Sequence, residues 1–181
     1  MTDLAIVDRN PASATVRLAA AGDEAAFARL VAEHHASMAR VAYAITGDAE
    51  SAADAVQVAW STAWRRLGSL RDPASVRSWL VAIAANEARQ IVRHQRKRMI
   101  VDIDRVTDGP GGDDPGDRIS TVDLARVLRR LEPEERTLLA LRFAAGLDSA
   151  EIAKQLGISA SGVRNRLSRL LDRVRMELDH G

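Results

Sequence analysis

The sequence predicts an all-α protein, with two small helical domains joined by a flexible acidic linker and a helix-turn-helix in the second domain. Three observations carry that expectation. Apolar residues recur at three- and four-residue spacing on both sides of the linker, and period-two alternation is absent. Apolar residues make up 46% of the 181 residues but aromatics only 3%, so the cores must rest on Ala, Leu, Val and Ile, which suits close helix packing. Between the periodic stretches lies Gly109-Pro-Gly-Gly-Asp-Asp-Pro-Gly116, which has too few apolar groups to offset the entropy of ordering it.

The elements follow in chain order. Residues 1–22 are expected to be a partly disordered N-terminal segment, and residues 23–99 a first helical domain. Its first helix runs from Asp23 to about Ile45, with Phe27, Leu30, Val31, His34, Met38, Val41 and Ile45 on one side. Gly47-Asp48 breaks it. A second helix from about Ser51 to Leu67 gathers Val56, Ala59, Trp60, Ala63, Trp64 and Leu67. Pro73 suits a first helical position, and the third helix carries Val76, Trp79, Leu80, Ile83, Ala84, Ala88 and Ile91 into the basic run Arg93-His-Gln-Arg-Lys-Arg98. Residues 100–120 form the acidic linker and 121–181 the second domain, with helices over Val122–Leu131 and from Pro133 through Phe143, ended by Gly146.

The helix-turn-helix spans Asp148 to beyond Arg169. Asp148 and Glu151 have capping-box spacing, in which each side chain satisfies an orphan amide. Ile152, Ala153 and Leu156 form one apolar stripe, and Gly157 stands where the chain must turn. Ser159 can cap the second helix, whose inward positions are Val163, Leu167, Leu170, Leu171 and Val174. Arg164, Asn165, Arg166 and Arg169 are left near the outer face, where donors reach a major groove. An ordinary helical hairpin with a solvated arginine face is the alternative, and two caps and a turn glycine argue against it.

Net charge is only +1, but it is unevenly placed. Residues 86–98 carry a net +4, residues 101–120 a net −4 and residues 160–175 a net +4. Two basic faces separated by an acidic strap suit a protein that touches polyanion in two places. The chain has no cysteine, hence no disulfide, thiolate metal site or Cys nucleophile. No signal segment or stretch of about 18 apolar residues is present, so a cytoplasmic protein without membrane insertion is expected. His34, His35, His94 and His180 have no metal-ligand spacing, and there is no phosphate-binding glycine loop or nucleophile elbow. Neither a cofactor nor enzymatic activity is expected.

Several motifs in order resemble the extracytoplasmic-function group of bacterial sigma factors, over about Ala20 to Leu178. They are Gly22-Asp-Glu-Ala-Ala-Phe-Ala-Arg-Leu30, then Asp54-Ala-Val-Gln57 with Trp60 and Ala63-Trp64, then Trp79-Leu80 with Ile83-Ala84 and Asn86. Leu131, Pro133 and Arg136 follow, then Glu151-Ile-Ala with Leu156-Gly157, and Val163-Arg with Arg166-Leu and Arg169. The resemblance implies a promoter-specificity subunit of RNA polymerase with three partners. These are core polymerase (the β′ clamp helices and the β flap), promoter DNA, and an anti-sigma factor such as holds many relatives. It also implies that Asp54, Gln57, Trp60 and Trp64 meet core polymerase, with the two tryptophans equally open to a packing role. Trp79, Asn86, Arg89, Arg93 and Arg96 lie in the segment similar to the −10 melting region; Trp79 reads mainly as packing, the others as strand contacts. The loop Leu70–Ser75 holds the place where relatives capture a flipped base. Ala160, Ser161, Arg164 and Asn165 fall where the −35 element is read, and Arg166 and Arg169 where phosphates are held.

Departures from the family pattern are Ala53 and Val58 where carboxylates are common, and Gly162 where Thr is frequent. Loss of those carboxylates weakens steering toward basic clamp helices; phosphorylation of Ser51, Ser61 or Thr62 is one way to restore the charge. The alternative function is a helix-turn-helix regulator that acts without being a polymerase subunit, which leaves Asp54–Trp64 and Trp79–Asn86 unexplained.

Overall fold

The computed structural model describes residues 11–101, 127–128 and 130–179, and contains no strand among them. Helix α1 spans Pro11–Ala20, α2 Glu24–Thr46, α3 Ala49–Arg66 and α4 Val76–Val101. After the acidic segment come α5 (Pro133–Leu139), a π-helical turn over Ala140–Ala144, α6 (Ser149–Leu156) and α7 (Ala160–Asp179). The all-α expectation holds. The linker, and most of the helix expected over Val122–Leu131, lie outside the described residues; of the latter, Val127, Leu128 and Arg130 are helical.

Helices α2, α3 and α4 pack mutually into the first unit. Helices α2 and α3 begin on residues that explain their boundaries. Asp23 caps α2 by accepting the Ala26 amide at 2.7 Å, and Asp48 caps α3 by accepting the Ser51 amide at 2.7 Å. Gly47, at φ 81°, closes α2 in the left-handed region, and its N–H reaches Tyr43 O. The facing surfaces are small: Ala42, Ala55, Ala59, Ala63, Ala84, Ala85 and Ala88 are all buried. Alanine lets helix backbones approach closely, which is how a core poor in aromatics reaches native density.

Helix α1 was not among the expected elements. Its Val16 and Ala19 are buried and it packs against α2 and the turns around Leu67 and Pro73. The second unit lies against the first: α5 and the π turn contact α2 and α4, and α6 contacts α4. The Arg136 guanidinium is buried at this junction and donates to the Ile45 carbonyl at the end of α2 at 2.8 Å. Burial and the nearby Arg96 lower its pKa, an effect Glu132 opposes.

Candidate promoter and polymerase interface

The helix-turn-helix forms as the local chemistry requires. Asp148 accepts the amides of Ala150 and Glu151 at 2.8 Å, and the Glu151 carboxylate accepts the Asp148 amide at 2.9 Å. Gly157 sits at φ 67°, where a Cβ is strained. Ser159 Oγ accepts the Gly162 amide at 3.0 Å, so it caps α7. Ile152, Val163, Leu167, Leu170 and Val174 bury the inner stripe. Leu171, expected inside, is instead 40% exposed, because it lies one residue past the Leu167–Leu170 ridge.

On the outer side of α7, Ser161, Arg164, Asn165, Arg166 and Arg169 are exposed, while Ala160 is half-buried. Arg166 and Arg169 also line a cleft of about 390 Å³ between α7, α5 and α4, together with Arg89 of α4 and Arg173 of α7. Arg173 pairs with Glu135 at 2.6 Å. Burial pushes the Glu135 carboxyl up, but the Arg173 hydrogen bond, the Glu132 amide and the Arg173 charge bring it below its ordinary value.

Helix α4 presents the other basic face. Trp79 is half-buried against the core. Asn86 and Arg89 engage each other, Arg89 Nη2 donating to Asn86 Oδ1 at 2.9 Å. Arg93 and Arg96 are turned toward the second unit: Arg93 pairs with Glu134, and Arg96 donates to Glu132 Oε2 and Leu131 O, each at 2.8 Å. The loop before α4 is also engaged. Lys154 of α6 lies 3.0 Å from Ser75 Oγ and 3.7 Å from Asp72 Oδ2. The Ser75 hydroxyl, with the Ala74 amide and Lys154, holds the Asp72 carboxyl below its ordinary pKa, although desolvation opposes them.

On α3, Asp54 and Gln57 are exposed and Trp60 is half-buried. Trp60 donates Nε1 to His35 Nδ1 at 3.3 Å and meets the Phe27 ring edge-on at 5.6 Å. Trp64 meets the same ring at 4.8 Å and remains 41% exposed. Gln57 and Trp60 line an apolar groove of about 320 Å³ with Ala39, Tyr43, Ala52 and Val56. Tyr43 went unremarked in the sequence, although the chain's one tyrosine, 55% exposed on an amphipathic helix, was a usable signal. Of the three hydroxyls near Asp54, Ser51 is buried and its Oγ accepts from Gln95 at 2.9 Å, so it is closed to modification in this packing. Among the described residues, no group of three His, Cys, Asp or Glu is placed to hold a metal ion, and no helix is long and apolar enough to cross a membrane.

The family model for Sigma-70 region 2 matches residues 30–98, and that for Sigma-70, region 4 matches residues 121–174. The chain is 31% identical over 169 residues to the ECF RNA polymerase sigma factor SigL of Mycobacterium tuberculosis, covering 91% of this chain and 96% of that one. It is 33% identical to the "Probable RNA polymerase sigma factor RfaY" of Xanthomonas campestris pv. campestris, over 88% of this chain but only 42% of that longer protein. Among solved structures, it is similar to CnrH in complex with the cytosolic domain of CnrY, with a TM-score of 0.71 and 25% identity over 94% of this chain and 99% of that one. The chain belongs to the extracytoplasmic-function group of the sigma-70 family of RNA polymerase sigma factors.

Proposed function

We propose that this sigma factor docks on core polymerase through α3 and its groove, reads a −35 element with α7, and engages the opened −10 strand along α4. One observation carries the reading: the exposed Arg164–Arg169 face of α7 shares a chain with a second basic helix face and a separate apolar groove. A duplex reader alone needs only the first. Arg164 and Asn165, near the start of α7, are assigned to base edges, and Arg166 and Arg169 to phosphates. Asn86, Arg89, Arg93 and Arg96 are assigned to the melted strand. Asp54, Gln57, Trp60 and Trp64 are assigned to the β′ clamp helices, and the second unit to the β flap. An anti-sigma partner is part of the proposal, supported by a structural relative that is held by the cytosolic domain of CnrY.

The test is a pull-down on core polymerase lacking its own sigma subunit. The native chain should be retained, and the D54A/Q57A variant retained at least tenfold more weakly with its duplex DNA binding unchanged. A chain that binds duplex promoter DNA tightly and specifically but ignores core polymerase would make the independent-regulator reading the better one.

A further inference from the structure

We propose that the cleft between α5, α7 and the α6–α7 turn, to which α4 lends Arg89, is a binding site for a nucleoside di- or triphosphate. The site itself stands apart from the promoter assignments above. At about 390 Å³ the cleft has the volume of a small-molecule pocket. Its lining combines two chemistries. Leu138, Leu156, Ile158 and Leu170 supply an apolar part, of which Leu138 and Leu170 belong to the buried core and Leu156 and Ile158 are half-buried against it. Arg89, Arg166, Arg169 and Arg173 supply four guanidinium groups.

The cationic part is short of anions. Arg166, Arg169 and Arg173 follow one another at spacings of three and four on α7, so they share a face and repel. Among the described residues only Arg173 of the three has a carboxylate partner, Glu135 at 2.6 Å. Glu134, the other acid of the cleft, is paired with Arg93, which does not line it. Arg89 gives Nη2 to the neutral Asn86 side chain, and its Nε–H is buried with no acceptor among the described residues. A buried donor left unpaired is costly, and so are like charges held together. A ligand with several anionic oxygens relieves both.

The apolar part decides which anion. Inorganic phosphate or a bare polyphosphate leaves Leu156 and Ile158 uncovered, whereas a nucleobase covers them and offers its faces to guanidinium planes. The phosphates then take forked hydrogen bonds from the arginines. A duplex can touch the exposed Arg166 and Arg169, but its bases stay stacked and paired, so the apolar part is left empty. One consequence does rest on the assignment of Arg166 and Arg169 to −35 phosphates: bound nucleotide and duplex exclude each other there. Nucleotide level then sets how much of the chain can take up a −35 element.

Equilibrium dialysis of the full chain with radiolabelled ATP or GTP, without divalent cation, tests the site, with inorganic tripolyphosphate and adenosine as competitors. One nucleotide per chain should bind with a Kd below about 1 mM, and each competitor should be at least about tenfold weaker, because base and phosphates both contribute. R89A and R169A should each weaken ATP about three- to tenfold. E135Q frees Arg173 while its amide oxygen can still accept the Glu132 N–H, and should tighten ATP about threefold. A gain of binding cannot come from misfolding. No saturable binding, tripolyphosphate as tight as ATP, or native-like ATP binding in all three variants would overturn the proposal. Saturating ATP should also weaken binding to a 20-base-pair duplex of mixed sequence at least about threefold, since phosphate contacts are independent of sequence. ATP binding that responds to the variants but leaves duplex affinity unchanged supports the site and removes Arg166 and Arg169 from the −35 phosphates.

Discussion

Arg164 and Arg169 are both exposed on α7, yet the account gives them different tasks. A bidentate arginine–guanine contact discriminates by about 1–3 kcal/mol, whereas a phosphate contact adds affinity on every sequence. Arg164→Ala should therefore flatten the difference between cognate and scrambled −35 duplexes in a competition assay with polymerase present. Arg169→Ala should weaken both alike and reduce the salt slope by about one. Equal uniform losses for the two variants would contradict that division. A second residue carries a pH signature. Burial lowers the pKa of His34, with Arg77 assisting and Glu33 opposing, so the 3.8 Å contact to Glu33 is made by a neutral ring at pH 7. The unfolded chain binds this proton at about 6.5 and the native chain only at lower pH. The stability tied to the neutral ring is thus complete above that value and declines as pH falls through the window below it. Urea midpoints should drop from pH 7 to 5.5, and His34→Gln should show a shallower drop.

At the scale of elements, the helix-turn-helix depends on two small pieces of backbone chemistry. Gly157→Ala places a Cβ at φ 67°, costing about 1–2 kcal/mol, and Asp148→Ala removes the acceptor for two amides, costing about 0.5–2 kcal/mol. Both should lower the urea midpoint and weaken duplex binding. This motif was legible in the sequence because Asp148, Glu151, Gly157 and Ser159 act on neighbours within a few residues. Helix α1 was not legible, because ten residues with Val16 and Leu18 as the largest apolar groups are marginal alone, and only packing on α2 fixes them. The π turn also escaped. Its Ala145-to-Ala140 hydrogen bond shifts the register, so that Leu141 and Leu147 are buried while Phe143 is left 63% exposed. Periodicity of 3.6 residues continued past that point without a sign of the shift.

At the scale of the molecule, the sequence showed where charge accumulates but not which charges meet. The basic end of α4 was read as a free polyanion face, and its partners Glu132 and Glu134 lie 36 and 41 residues away, across the acidic segment. Arg136 was visible within a motif, but its burial against Ile45 O, 91 residues distant, follows only from how the two units pack. The promoter and polymerase assignments drew on local spacing and were legible as candidates; the contact that closes one unit on the other is nonlocal and was not. The central claim is that these faces act together as a polymerase specificity subunit. In vitro transcription with core polymerase and genomic fragments tests it most directly. The account predicts discrete run-off products that appear only when this chain is added and disappear with D54A/Q57A. No promoter-specific product above core polymerase alone would contradict it.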